Sequence, residues 1–200
     1  TLTMMLAEAA HAAAEGPLSS FRMTDKDRYE LKIAGLLHDC GKITTPVHVV
    51  DKATKLQTIY DRIGLLDTRF EALKREAEVA MLRAVLAARE AEDASSEQRA
   101  REDFEARVRQ YDDDREFLRR TNIGGERMSP EDQARVSRIA QYTWTGPKGA
   151  PERFLSRDEE ANLNIPYGTL NPHEREVINH HIVATIKMLE ALPWPRHLLN

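Results

Sequence analysis

His38 and Asp39 stand side by side and can present an imidazole nitrogen and a carboxylate to one point in space. Such donors suit Fe, Mn, Zn or Mg in different proportions, and one carboxylate can bridge two ions. Lys42 follows three residues after Asp39, and its ammonium is a compact charge able to reach a substrate phosphate. A helix that merely ends in polar residues is the simpler reading of a bare His-Asp pair. The setting argues against it. Ile33, Ala34, Leu36 and Leu37 form an apolar stripe that runs straight into His38-Asp39-Cys40-Gly41-Lys42, so the polar pair lies beside a core-facing surface.

A third donor is available near the other end. His181 shares a helical face with Val177, Ile178, Thr185 and Met188, at separations of three and four residues. His180 shares a more polar face with His173, Glu176 and Lys187. A ligand held against the core comes from the first face, which favours His181.

The elements that must position these groups read as helices. A first helix runs to about Glu15 and stops at Gly16-Pro17. Thr24 is a good N-cap, with Asp25 and Asp27 in the first turn where the helix dipole favours anions. That helix is expected to close at Gly41, in the left-handed conformation that glycine adopts cheaply. From Leu56 a heptad seam begins: Ile59, Ile63, Leu66, Phe70, Leu73, Ala77, Ala80, Ala84, Ala87 and Ala91. After Glu92-Asp93-Ala94-Ser95-Ser96 a second run returns through Phe104, Val108, Tyr111 and Leu118. The pattern predicts an antiparallel hairpin with arms of about 40 Å at roughly 1.5 Å per residue. Its alanine-rich tip buries little area and should be its least stable part. Ser129-Pro130 opens a further helix to about Tyr142. Residues 143–170 look irregular. Asn171-Pro172-His173-Glu174 opens a last helix to about Leu192. No segment reads as a convincing β-strand, and the fold class is all-α.

Composition agrees. Charged residues make up 31% and aromatics 6%, which suits a helical protein with much solvated surface better than a sandwich or barrel. A net charge of −4 gives no global attraction to DNA, RNA or an anionic membrane. Cys40 is the sole cysteine, so no internal disulfide can form and a reducing cytoplasm is the natural setting. No apolar run approaches the roughly 20 residues that span a bilayer.

Leu36-Leu37-His38-Asp39-Cys40-Gly41-Lys42-Ile43 resembles the signature of the HD phosphohydrolase superfamily, in the form typical of its HD-GYP branch. Pro46-Val47-His48-Val49-Val50-Asp51-Lys52-Ala53-Thr54-Lys55-Leu56 resembles the segment that follows in that branch. Ile178-Asn179-His180-His181 with Met188-Leu189 resembles its next helix. The resemblance implies a helical HD bundle split into an N-terminal part (1–58), a long inserted hairpin and irregular segment (59–160) and a C-terminal part (161–200). It implies two or more divalent ions held by His38, Asp39 and His181, with Asp39 and Lys42 serving catalysis and Lys42 the substrate phosphate. It also implies cyclic di-GMP as substrate, opened to pGpG and on to GMP. A further ligand before Thr1, and a His-His pair with Gly-Tyr-Pro after Asn200, would complete the family's set, so the chain reads as a fragment of low activity. An upstream sensor or receiver domain, and a homodimer through the hairpin, are further expectations. The alternatives are an HD phosphohydrolase acting on another nucleotide, or a regulatory module using the HD core as scaffold.

Other candidates are weaker. His48 reads as a loop histidine, Cys40 as a small buried residue, and Arg62 as a surface partner of Asp61 or the hairpin base. His11 lacks the surrounding motif that would make it a ligand.

Overall fold

The computed structural model describes residues 2–194; residues 195–200, the end of the expected C-terminal part, lie outside that range. The chain divides into two compact units, Thr1–Val50 with His173–Asn200, and Asp51–Pro172.

The first unit contains α1 (Leu2–His11), α2 (Asp25–Leu37), a 3-10 turn (Cys40–Thr44), α3 (Val47–Val50), all but the first residue of α8 (Pro172–Asn179), and α9 (His181–Glu190). Thr24 caps α2 as expected: its hydroxyl accepts from Asp27 N, and Asp27 returns a carboxylate to Thr24 N. Three expectations need correction. The first helix stops at His11, whose Nδ1 accepts from Met23 N at 2.9 Å. The stripe on α2 is not buried: Leu36 is 57% exposed, and no residue of this helix is fully covered. The last helix is two helices, α8 and α9, broken at His180.

Gly41 also serves differently from its expected role. It is absent from the left-handed positions among the described residues and sits inside the 3-10 turn. Its lack of a side chain is needed for close approach. A Cβ there would lie 2.5 Å from Thr185 N, and nearer still to the His181 carbonyl oxygen.

The second unit is built on the expected hairpin, α4 (Ile63–Glu90) against α5 (Ala94–Ile123). Asp93 caps α5 by accepting from Ser95 N and Ser96 N. Gly124, left-handed at φ 71°, ends it. α6 (Pro130–Ala140) opens with the reciprocal Ser129–Asp132 cap. Residues 143–170 are not irregular throughout. They form a small antiparallel pair, β1 (Thr143–Thr145) and β2 (Pro151–Arg153), and then α7 (Arg157–Leu163). Both strands are only three residues long, too short for an alternating pattern to stand out.

The hairpin seam departs from the heptads. Ile59 lies outside the helix and is 95% exposed, and Ala80, Ala84 and Ala87 are exposed, with Ala80 and Ala84 lining an open groove beside Ala100 and Phe104 of the opposite arm. Val85 and Ala88 are buried instead, with Met81 partly covered. A straight helix has 3.6 residues per turn, so a 3.5-residue stripe drifts off its seam. Alanine offers too little area to hold it there, and the larger Val85 takes the inward position.

Near the hairpin base Leu56, Leu66, Phe70, Leu73, Leu118, Phe154 and Leu163 close a core with α6 and α7. Phe70 is fully buried, with its ring centroid 4.5 Å from that of Phe154. Burying such a side chain stabilises by about 1.5–3 kcal/mol. Several buried charged groups here have defined partners, although Asn164 Oδ1 is buried without a hydrogen-bond partner. Asp114 accepts from Arg135, from Gln110 and from Tyr142 Oη at 2.6 Å. Glu159 pairs with Arg69 at 2.7 Å. Lys55, 1% exposed, donates to the carbonyls of Leu163 and Ile165, at 3.1 and 2.7 Å, and to Met128 Sδ.

Candidate metal centre

Asp39 is where the chemistry-bearing residues of the first unit meet. It caps the 3-10 turn, one residue past the end of α2 at His38. Lys42 Nζ donates to Asp39 Oδ2 at 2.8 Å, and His38 Nε2 lies 3.1 Å from the same oxygen. His181 Nε2 lies 3.4 Å from the other oxygen, Oδ1. The hydrogen bond from Lys42 holds the Asp39 carboxyl below its usual range, and the neighbouring His38, Lys42 and His181 act in the same direction. Asp39 is therefore an anion at neutral pH.

The outer nitrogens of the two rings are fixed alike. His38 Nδ1 bonds the carbonyl oxygen of Gly35 at 3.2 Å, and His181 Nδ1 bonds that of Ile178. A carbonyl can only accept, so each Nδ1 carries the proton. In the neutral rings Nε2 then holds a lone pair aimed at an Asp39 oxygen. Lone pair facing lone pair is repulsive unless a proton or a cation stands between them. A histidine tied by Nδ1–H to a carbonyl, with Nε2 free, is also the usual arrangement of a metal-ligating imidazole.

Exposure grades the members. The His181 side chain is 14% exposed, Asp39 39%, Lys42 45% and His38 67%. The site is thus anchored on α9 and opens to solvent on the His38 and Lys42 side. His180 faces outward, as its more polar neighbours imply. The donor set is partial: among the described residues, no group of three or more His, Cys, Asp or Glu side chains is arranged to enclose an ion. The chemistry of the set nonetheless fits a divalent cation, with two nitrogen donors flanking one carboxylate.

The remaining candidates lie elsewhere. His48 is exposed on the short α3, and Cys40 is a half-buried free thiol. Arg62 does not pair with Asp61. Its guanidinium meets Asp158 at 2.7 Å and donates to the Leu56 carbonyl at 3.0 Å. Asp61 instead accepts from Asn122 and Thr54.

The model of the HD domain family matches residues 1–133, which include the whole His38–Lys42 motif. The chain belongs to the HD domain family. HD domains are in general metal-dependent phosphohydrolases that bind divalent ions, and the all-α architecture agrees. The matched span ends before His181, so the match does not bear on that histidine, whose link to Asp39 is shown by the geometry. No curated protein and no solved structure matches the chain. No helix among the described residues of this HD domain is long and apolar enough to cross a membrane.

Sequence reasoning passed over Thr185 except as a neighbour on the His181 face. Its hydroxyl accepts from the Gly41 backbone N–H at 2.9 Å, and it is one of the few buried residues among those described in the first unit. A small hydroxyl residue one turn after a candidate ligand, on the same face, was the available signal.

Proposed function

We propose that this HD domain serves a metal-dependent phosphodiesterase acting on a cyclic dinucleotide, cyclic di-GMP by its resemblance to the HD-GYP branch, with pGpG and GMP as products. The observation that carries the metal-dependent part is the pair of Nδ1-tethered histidines presenting Nε2 to opposite oxygens of one ionised carboxylate. His38, Asp39 and His181 would hold the cation. A bound divalent ion supplies the Lewis acidity that activates water near neutral pH and offsets charge on phosphoryl oxygens.

The chain's own groups do the rest. The backbone carbonyls of Gly35 and Ile178 keep both rings in one tautomer and orientation. The hydrogen bond from Lys42 holds the Asp39 carboxyl below its usual range, favouring its ionised, ligating form. Lys42 is nearly half exposed, so its ammonium can leave Asp39 for a phosphate oxygen when substrate arrives.

Asp39→Ala tests the reading. Metal content should fall to background, and hydrolysis of cyclic di-GMP should drop by about 10³-fold or more, the upper range for losing one group that stabilises transition-state charge. Retained turnover at full metal content would overturn it. A panel of linear phosphodiesters, nucleoside monophosphates and cyclic dinucleotides tests the substrate separately from the metal.

A further inference from the structure

We propose that Thr185 is a positioning residue: through its hydroxyl it locks the His38–Lys42 turn onto α9 and thereby sets the His181 imidazole against Asp39. The metal-affinity part of this inference rests on the reading given under Proposed function; the ring-placement part does not.

Two rungs join the turn to α9. One is Asp39 to His181, at 3.4 Å. The other is Gly41 to Thr185, where the amide N–H donates to Oγ1 at 2.9 Å. The rungs are two residues apart on the turn and four apart on the helix, where positions i and i+4 stack on one face. They differ in exposure. Thr185 is 6% exposed and Gly41 is buried, whereas the Asp39 carboxylate is 39% exposed. A hydrogen bond shielded from water persists where an exposed contact exchanges with solvent. The buried rung therefore fixes the register, and the exposed rung follows it.

The glycine makes this possible. The turn approaches so closely that a Cβ at position 41 would stand 2.5 Å from Thr185 N and 2.6 Å from Thr185 Oγ1. The same approach brings Gly41 against the carbonyl of His181 itself. The contact thus spans the turn of α9 that begins at the candidate ligand, and any shift at position 185 reaches that ligand through one helical turn. His38 needs no such device, since it adjoins Asp39 in sequence.

Thr185→Val keeps the shape of the side chain and removes the acceptor; Thr185→Ser keeps the acceptor. The whole chain is used, without metal first. In metal-free protein the His181 imidazole resonances should shift in Thr185→Val and stay in place in Thr185→Ser, with the exposed neighbour His180 unmoved in both as internal reference. The Gly41 amide should exchange faster only in the valine variant. With Mn²⁺ as probe, affinity should fall about tenfold or more in Thr185→Val and change less than about threefold in Thr185→Ser, the range in which groups supporting a ligand act. If the valine variant leaves the His181 resonances in place, Thr185 only packs and the proposal is overturned. If wild-type protein takes up no Mn²⁺, the metal reading fails, while the metal-free resonances still decide the positioning role.

Discussion

The two units of this chain divide stability from chemistry. The hairpin unit buries Leu56, Leu66, Phe70, Phe154, Leu155 and Leu163 to within 1% exposure and answers its interior charges with defined partners. Among its described residues, the unit that carries His38, Asp39, Lys42 and His181 buries few side chains: Met23, Thr45, Val49 and Thr185. Leu36, Ile43, Val47, Ile182 and Ile186 remain more than half exposed there. A closed apolar core contributes in proportion to the area it removes from water. The first unit holds its geometry by other means, through helix caps, a glycine approach and tethered imidazoles.

The difference is sharpest at Phe70. Phe70→Ala removes a fully buried ring from contact with Phe154 and leaves a cavity, and should cost about 3–5 kcal/mol. Urea unfolding followed by circular dichroism measures it. A loss below about 1 kcal/mol would mean that the hairpin core is not closed as described and that the contrast between the units is false.

A second test uses the buried charge of the hairpin unit. Burial pushes the Lys55 ammonium down from 10.5 to about 8. Below pH 8 the lysine is charged both folded and unfolded, and the cost of burying the charge is fully present. Between pH 8 and 10.5 the unfolded chain binds more protons, so this group makes stability rise with pH. Above 10.5 it is neutral in both states and the dependence ends. Tyr142 works in the opposite sense, since burial and its bond to Asp114 raise its phenol. The comparison is therefore wild type against Lys55→Met, each unfolded in urea from pH 7 to 10.5. The wild type should gain on the variant as pH rises through 8–10.5. Parallel curves would show that Lys55 keeps an ordinary pKa and is not held in a dry site.

What was legible in the sequence follows the same division. The hairpin, the cap at Thr24, the helix start at Ser129-Pro130 and the all-α class were readable because they rest on local spacing and local hydrogen bonds. The face holding His181 was readable in part: His181 and Thr185 are covered together, but Met188 is 40% exposed and Val177 and Ile178 lie on α8, before the break at His180. The outer alanine seam was not, since alanine spacing alone does not say whether the facing helix closes over it: Ala80 and Ala84 line an open groove beside α5, while Val85 and Ala88 are buried. The role of Gly41 was missed for a related reason. A left-handed turn and a close backbone approach both ask for glycine, and only the position of Thr185, 144 residues away, distinguishes them. The strands at 143–145 and 151–153 pair across a tight connection with too few residues for an alternating pattern.

The smallest expected effect bears on the first unit's exposed apolar side chains. Leu36 belongs to the stripe that leads into His38, yet it is 57% exposed. A side chain already more than half in water has little transfer energy left to lose. Alanine is also the better helix former. The two terms oppose each other, so Leu36→Ala should change stability by no more than about 0.5 kcal/mol, as surface substitutions generally do. The urea midpoint should stay in place with an unchanged slope. A loss of 2 kcal/mol or more would show that Leu36 is covered in solution. The weakness of the first unit's core would then be apparent only, and the contrast with the hairpin unit would narrow to the polar anchoring at Gly41 and Thr185.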